Sequence, residues 1–401
     1  MAITVNITGG NVQLTGNPIL INCSGGSAPI GSTKYKILLQ VISQDGKLEG
    51  APFPLAKAPD ENGNAVFDIS AFVDQPVKPV FQYPASGVMK SYPTQAFNIQ
   101  VAAGESYIDS DGELQESYQG AEAQIIQMLK GGLSPRQINL MNSKSQTFFS
   151  QYVQGDKFLT TRPKGEIVHP EQNIKLWFMV DAAKSATLKL TLHYNDGSTS
   201  DYTSSSQSLD TDFLYEFNVN PAQRGMNLEP TGKKATHFHV WLDFGGTTSD
   251  NRYFYFDQNF CERPAFLFFA NSLGGIDDVY FSGYITDKFA TNGSLAVIPP
   301  QTEDTVYDPT LITVDKKGTN KWSINTGWKH LTTMQFYRDL LLTRKAWYLY
   351  SNSTQSTFSI IPILLDTGEQ VIFNRQEDLW SIDIPITEAH ESAFAFDNRS
   401  Y

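Results

Sequence analysis

Apolar and polar residues alternate over several stretches of the N-terminal part of the chain, which is the pattern of strands buried on one face. Residues 3–7 alternate strictly, and residues 35–42, 64–69 and 96–101 are rich in apolar and β-branched side chains. Turn-forming residues separate these stretches, and no helical periodicity lies between them. The sequence therefore predicts an antiparallel β-sandwich of immunoglobulin-like shape over residues 1–110.

A helical pattern first appears after residue 112. Residues 113–129 combine acidic, glutamine and apolar side chains, and the Gly-Gly pair that follows is a natural stop for a helix. Next, Ser134 precedes Pro135, and Gln137 stands three positions after the serine. This spacing is typical of a capping box with proline at the first helical position. We therefore predict a helical connector over residues 111–165.

The strand pattern is strongest in the centre of the chain. An Asn-Asp-Gly turn at 195–197 joins two of the apolar runs as a hairpin. This spacing of runs predicts a second antiparallel sandwich or jelly roll over residues 166–298. The runs cover residues 174–181, 186–194, 213–219, 236–244, 252–257, 264–270 and 278–285.

Two prolines at 299 and 300 mark a further boundary. Beyond them, residues 331–343 form an amphipathic helical pattern with Met334, Tyr337 and Leu341 on one stripe. Strand-like runs follow and precede this helix, which predicts a small α+β domain over residues 299–401. The expected fold is thus mainly β, with tandem antiparallel β-sandwich domains of Ig-like or jelly-roll-like form and a short helical connector.

Charge and composition narrow the classes of partner. The 401 residues include 30 basic and 42 acidic side chains, a net charge of −12 without a basic cluster. Neither a nucleic acid nor an anionic membrane is therefore an expected partner. Charged residues are 18% and aromatic residues 12%, a balance that suits sheets and interfaces. The two cysteines have no disulfide or metal spacing and no secretory signal is recognised, so we expect synthesis in a reducing cytosol.

Three histidines are the strongest candidates for metal chemistry. His237 and His239 share one face of a predicted strand, while His193 lies on the polar face of another. If those strands pair, the three imidazoles converge on zinc or another transition metal. Nothing in the sequence fixes that pairing, so the favoured interpretation is solvent-facing or interface histidines, with no metal.

Other candidate motifs are better explained as turns. The oxygen-rich loop at 109–113 resembles the start of a calcium loop, but the remaining ligand positions do not fit. The Asp-Thr-Gly at 366–368 lacks the second copy that an aspartic protease needs. A strand, not a helix, follows the Gly-Gly at 274–275, which argues against phosphate binding. We therefore expect no catalytic residues, no cofactor and no enzymatic activity.

Several segments taken together resemble virion proteins of tailed bacteriophages and prophages, of the kind encoded among tail and baseplate components. The resemblance spans residues 130–401 and implies a non-enzymatic assembly part near the tail tip or another portal-proximal ring. It carries no catalytic residues. The segments are GGLS at 131–134, TFF at 147–149, FLTTRP at 158–163, PEQ at 170–172, CERP at 261–264, NSLGGID at 271–277, NTGW at 325–328 and YRDLLL at 337–342.

The sequence therefore favours a structural subunit of a phage virion, made in the bacterial host cytoplasm. Its expected partners are sister copies in a cyclic ring and other virion or tail proteins. The alternative is a carbohydrate-binding or host-adsorption module, in which loops at 198–208 or 247–251 and aromatic platforms hold a host surface glycan. The residues predicted to make contacts are Trp241, Tyr253, Asn271, Gly274, Gly275, Asp277 and Trp328.

Overall fold

The structure is a computed structural model, and it divides the chain into two compact units. Unit 1 comprises Met1–Gly165, Asn173–Tyr255 and Ala270–Asp277, and unit 2 comprises Glu166–Gln172, Phe256–Phe269 and Asp278–Tyr401. The four domains drawn from the sequence, and the three boundaries between them, stay predictions. The residues described are 3–30, 32–43, 53–74, 77, 87–92, 97–118, 124–211, 213–259, 264–297, 311–351, 358–366 and 379–390.

The fold is mainly β, with several antiparallel sheets, as the sequence predicts. The N-terminal elements are β1 (Thr4–Ile7), β2 (Val12–Leu14), β3 (Leu20–Ser24), β4 (Thr33–Ser43), β5 (Phe53–Lys57), β6 (Ala65–Asp68), α1 (Ser70–Asp74), β7 (Met89–Tyr92), β8 (Phe97–Ile108), β9 (Leu114–Tyr118), β10 (Gln124–Leu129) and α2 (Pro135–Asn142). The central strands are β11 (Glu166–Val168), β12 (Lys175–Phe178), β13 (Lys184–Tyr194), β14 (Thr199–Thr203), β15 (Gln207–Leu209), β16 (Leu214–Asn218), β17 (Ala235–Asp243) and β18 (Arg252–Phe256).

The remaining elements belong to the C-terminal part of the chain. They are β19 (Ala265–Ala270), β20 (Ile276–Phe281), β21 (Ile285–Val297), β22 (Leu311–Asn325), β23 (Lys329–His330), α3 (Met334–Leu342), β24 (Ala346–Ser351), β25 (Phe358–Leu365), β26 (Leu379–Trp380) and β27 (Asp383–Glu388). Short helical turns lie at Phe149–Val153, Ala222–Arg224 and Leu331–Thr333. Within the described residues, no helix has both the length and the apolar character that a membrane crossing requires.

Unit 1 contains separate sheets in its N-terminal and central parts. The N-terminal sheets have the strand orders β1-β3-β6 and β2-β10-β8-β4-β5, with β9 beside β8. Their buried side chains form one core that includes Ile21, Ile37, Leu39, Val101 and Met128. The central sheets include the orders β12-β16-β7 and β18-β17-β13-β14. These alternating strands each send one row of apolar residues inward, as period-two patterning requires.

The helix predicted over residues 113–129 is wrong. This segment forms β9 and β10, and β10 pairs in parallel with β2 and antiparallel with β8. Ile126 and Met128 are fully buried on either side of half-buried Gln127, which is the period of a strand. Pairing with two distant strands outweighs local helix propensity here. The second predicted helix is confirmed as α2, with a capping box between Ser134 and Gln137.

A buried ionic network lies in the interior of unit 1. The carboxylate of Asp277 accepts a hydrogen bond from Thr160 Oγ1 at 2.8 Å and one from Asn271 Nδ2 at 2.9 Å. The Arg162 Nε atom lies 3.4 Å from the same carboxylate, and both side chains are fully buried. Opposite charges removed from water in this way must be paired, because an unpaired buried charge is strongly destabilising.

Asn271 shapes the turn that carries this network. Its side-chain oxygen accepts from the backbone N–H groups of Leu273 and Gly275 at 3.0 and 2.9 Å. Its amide donates to the carbonyl of Leu159 at 2.9 Å. A Cβ at Gly275 would lie 2.8 Å from that same carbonyl oxygen and 2.8 Å from Trp177 Cγ. Only glycine therefore allows the turn to approach so closely.

Unit 2 is built on a seven-stranded sheet of order β20-β19-β24-β25-β27-β22-β21. Helix α3 covers part of it through Phe336, Tyr337 and Leu340, which are buried against strand side chains such as Leu267 and Phe281. The predicted amphipathic helix is thus present, shortened by a 3-10 turn over Leu331–Thr333. The side chain of Met334 and residues 371–373 lie outside what the structure describes.

A long two-stranded ribbon extends from this sheet. Strand β22 pairs with β27 only over Lys321–Asn325, whereas β21 follows β22 back to Leu311. Within the described residues, about ten residues of each strand therefore form a ribbon some 33 Å long at the usual rise per residue. Residues 286–295 of β21 are all exposed. The domain boundary predicted at residue 298 falls between the two strands of the ribbon, and the ribbon itself was not predicted.

We predict that the Asp277→Asn substitution destabilises unit 1. The amide removes the negative charge beside buried Arg162, which costs about 3 kcal/mol and lowers the Tm by roughly 6–12 °C for a unit of this size. Differential scanning calorimetry measures the shift. The matched control is Asp111→Asn at an exposed turn residue, which should leave the Tm unchanged. An Asp277→Asn variant that melts with the control would show that the pair is not stabilising.

Candidate functional site

One face of the central sheet gathers three histidines and two tyrosines. In the register of β13 and β17, His193 lies opposite His237, and His239 follows two residues later on the same face. In the register of β17 and β18, Tyr255 lies opposite His237 and Tyr253 lies opposite His239. We call this surface, made of His193, His237, His239, Tyr253 and Tyr255, the histidine face.

The opposite side of these strands is apolar core. Leu192, Phe238, Val240 and Phe254 alternate with the residues of the histidine face and are at most 1% exposed. The strand alternation predicted from the sequence is confirmed, because a strand sends successive side chains to opposite sides. The three histidines are half-buried, so part of each side chain is accessible on this face.

The three imidazoles converge. The rings of His193 and His237 stack with centroids 4.3 Å apart and an interplanar angle of 4°. His239 lies 5.0 Å from His193 and 5.5 Å from His237, measured between ring centroids. One ligand nitrogen from each ring lies within 4.8 Å of the other two. The strand pairing on which the sequence argument depended is therefore present.

A bulge beside the cluster places a hydroxyl against one ring. The register of β13 and β17 shifts between His193 and Tyr194, which leaves Thr236 as the extra residue. Thr236 Oγ1 lies 3.2 Å from the His193 carbonyl oxygen and 2.9 Å from His237 Nδ1. The hydroxyl has one proton to donate and can also accept, so it can pair with His237 Nδ1 in either tautomer.

Burial and repulsion between the rings disfavour protonation of His237 and His239. The pKa of His237 is lowered from 6.5, first by desolvation and then by the neighbouring charges of His193 and His239. The pKa of His239 is lowered by desolvation and by His193. A proton on one imidazole opposes a proton on the next. These rings are thus held in the neutral form, which is the form that binds metals.

Aromatic side chains extend the same surface. Trp241 lies opposite Lys189 on the polar side of β17, and Lys189 pairs with Asp243 at 2.5 Å. Tyr253 and Tyr255 meet edge to face with centroids 6.1 Å apart, and Tyr255 is 45% exposed. Trp241 and Tyr253, the two residues predicted as stacking platforms, therefore lie on one side of one sheet.

The other predicted contact residues have different surroundings. Asn271, Gly274, Gly275 and Asp277 are interior residues of the buried turn and its network. They therefore organise the inside of unit 1 and do not form a contact surface of that unit. Trp328 in unit 2 is 68% exposed and follows a turn in which Asn325 Oδ1 accepts from the Gly327 N–H at 2.8 Å.

The loop at 109–113 is a hairpin turn. Asp109 accepts hydrogen bonds from the backbone N–H groups of Asp111 and Glu113 at 3.0 and 2.9 Å, and from the side chain of Gln115 at 2.8 Å. These hydrogen bonds occupy the Asp109 carboxylate and stabilise the turn that joins β8 and β9. In the Asp-Thr-Gly motif, Asp366 accepts from Thr387 Oγ1 at 3.0 Å, and residues 367–368 lie outside the described part of the chain.

A second buried charge pair was not found from the sequence. Lys175 Nζ lies 2.8 Å from Glu216 Oε1, and Tyr92 Oη donates to Glu216 Oε2 at 2.7 Å. Burial and the adjacent carboxylate raise the pKa of Tyr92 well above its ordinary value. The three residues belong to three strands, and 124 positions separate Tyr92 from Glu216, so no local pattern could have joined them. All three are enclosed in the core.

Comparisons with known proteins do not assign this chain to a family. No protein-family model matches the chain, and no curated protein matches it. Among solved structures, one match is the native conformation of E. coli alpha-2-macroglobulin, at 10% identity and a TM-score of 0.17. The match covers 97% of this chain and 31% of that one, so this chain spans about a third of its length. A TM-score this low carries no argument about fold or function.

We predict that protonation of the histidine face destabilises unit 1. The pKa values of His237 and His239 lie below 6.5 in the folded state, so the unfolded chain binds more protons near that pH. Their contribution to stability is therefore complete above pH 6.5 and declines as the pH falls through it. NMR titration of the imidazole protons should give both midpoints below 6.5.

The variant His193→Gln should raise both midpoints, because it removes a repelling neighbour. The control variant His330→Gln changes an exposed histidine elsewhere in the chain and should move neither midpoint. Midpoints at or above 6.5 in the unmodified protein would contradict the prediction.

Proposed function

We propose that this chain is a non-enzymatic structural subunit of a tailed-phage virion, assembling with sister copies in a ring at the tail tip, baseplate or another portal-proximal position. The resemblance of residues 130–401 to such proteins motivates the phage assignment. The ribbon of β21 and β22 is the structural observation that supports an assembly role. In this proposal, other virion proteins contact the ring.

The ribbon exposes apolar side chains that the described part of the chain leaves uncovered. Phe289, Leu295, Val297 and Leu311 have exposed fractions of 61%, 70%, 73% and 55%. Covering a large apolar side chain stabilises a contact by about 1.5–3 kcal/mol. Exposed apolar groups that cluster on one projecting element are typical of interaction surfaces. We therefore assign these side chains to the contact with a neighbouring copy.

The geometry of the ribbon also suits assembly. Strand β21 is the last strand of its sheet, and within the described residues it pairs only with β22. Its outer edge thus presents backbone donors and acceptors over many residues. A neighbouring strand or loop can satisfy them, as in recognition by strand addition. Two-stranded ribbons are only marginally stable alone, so a covering partner would stabilise this one.

We predict that a double variant, Leu295→Lys with Val297→Lys, weakens self-association. Both side chains are exposed, so the change leaves the isolated fold intact while placing two charges in the contact. The association constant should fall at least about tenfold. Mass photometry and light scattering over a concentration series measure it.

The matched control is Leu342→Lys, which changes an 82% exposed leucine on α3 outside the ribbon and should assemble normally. A native chain that stays monomeric at every concentration and never enters particles would contradict the assembly role. Electron microscopy of purified tailed particles tests the phage assignment itself, which requires ring-shaped density that fits this chain. Particles without such density would overturn the phage assignment. The ribbon contact would then be judged from the association data alone.

The alternative function is adsorption to a host surface glycan. It is favoured by Trp241, Tyr253 and Tyr255 on one polar sheet surface, since sugars stack on aromatic rings beside hydrogen-bonding groups. The loop at 198–208 borders this sheet through β14 and β15.

If this alternative holds, glycan-array binding should appear with the native chain and be lost in Tyr255→Ala. Tyr284→Ala, which removes an exposed tyrosine from unit 2, is the control and should bind normally. No binding across capsular and lipopolysaccharide glycans would exclude it.

A further inference from the structure

The chemistry of the histidine face goes beyond an assembly contact. Three imidazoles from two paired strands stand together on an accessible surface. Within the described residues, this is the one group of three or more histidine, cysteine or acidic side chains whose ligand atoms lie close enough to share an ion. The core of unit 1 does not use these rings, because its apolar residues lie on the other side of the sheet.

The distances suit a metal after a small movement. Nitrogen ligands around tetrahedral zinc lie about 2.0 Å from the ion and so about 3.3 Å from one another. The three candidate nitrogens already lie within 4.8 Å of each other. The stacked rings of His193 and His237 must turn about their side-chain bonds to aim both lone pairs at one point. Half-buried side chains without core packing can make that rotation.

A hydroxyl beside His237 suits coordination. Thr236 Oγ1 lies 2.9 Å from His237 Nδ1, so one ring nitrogen has a hydrogen-bond partner while the other is available to a metal. Histidine ligands of metals commonly have their second nitrogen held by such a hydrogen bond, which fixes the tautomer. The bulge at Thr236 supplies this partner without breaking the adjacent strand pairs.

The donor set selects the class of ion. Three imidazoles, with no carboxylate in the group, favour zinc, copper, nickel or cobalt over calcium or magnesium. Three protein ligands leave a fourth position open for water or an incoming group.

We propose that His193, His237 and His239 form a binding site for one transition-metal ion, with zinc as its principal occupant. The site is a property of the central sheet and does not depend on the assembly role. His193 contributes from β13, while His237 and His239 contribute from β17.

The test uses the full chain without a histidine tag, treated with EDTA and dialysed. Isothermal titration with Zn²⁺ should give one site per chain, and Co²⁺ should give the visible absorption of tetrahedral coordination. The single variants His193→Gln, His237→Gln and His239→Gln should each weaken Zn²⁺ binding by roughly 100-fold or more, and Thr236→Val by roughly 10-fold. His330→Gln should bind like the native chain.

X-ray absorption of the native zinc complex checks the ligands without any substitution. It should show imidazole scattering from three rings at about 2.0 Å. Absence of saturable Zn²⁺ binding would overturn the proposal. So would equal affinity in the native chain and the three histidine variants, or a spectrum without imidazole ligands.

Discussion

The carboxylate of Asp277 is the group around which unit 1 is ordered. It is fully buried and lies beside the guanidinium of Arg162, while Thr160 and Asn271 donate to its oxygens. A lone charge in this position would be strongly destabilising, so the segment near 160 must lie against the turn near 271 in the folded unit. Packings that separate the two charges are disfavoured for the same reason. Apolar burial supplies the driving force, and the network selects the geometry.

The same network is connected to the histidine face. The carbonyl oxygen of Arg162 accepts a hydrogen bond from Arg252 Nη1 at 2.9 Å, and Arg252 begins β18. Strand β18 carries Tyr253 and Tyr255 beside the imidazoles of β17. A further backbone bond joins Gly165 N to the Tyr253 carbonyl at 2.8 Å. Strand β18, which carries the two tyrosine rings, is therefore hydrogen-bonded at its start to Arg162, the residue that pairs with Asp277. This bond limits how far the histidine face can deform.

The sequence predicted most strands of this face and their alternation, because period-two patterning is local. It predicted that His237, His239 and Trp241 share a side, which the buried Phe238 and Val240 confirm. The pairing of β13 with β17 and the bulge at Thr236 were not predictable, since they depend on contacts between residues about 40 positions apart. The helix predicted over 113–129 failed for the same reason, as two distant strands decided its conformation. Asn271 and Gly275 were predicted to make contacts with a partner, whereas the structure places both in the interior of unit 1.

Among the described residues, the exposed apolar side chains of the ribbon in unit 2 differ in how far they pack within the ribbon itself. A Cβ at Gly318 would overlap the ring of Phe289, so this ring lies across the glycine and shields the ribbon's own backbone. Part of the exposed apolar area of Phe289 is therefore explained by packing within the ribbon. Leu295 and Val297 are more exposed than Phe289, at 70% and 73% against 61%. Leucine and valine side chains are unfavourable in water, so covering them would stabilise a contact more than covering the already packed ring of Phe289. The assembly contact proposed above should accordingly centre on the part of the ribbon beyond Phe289.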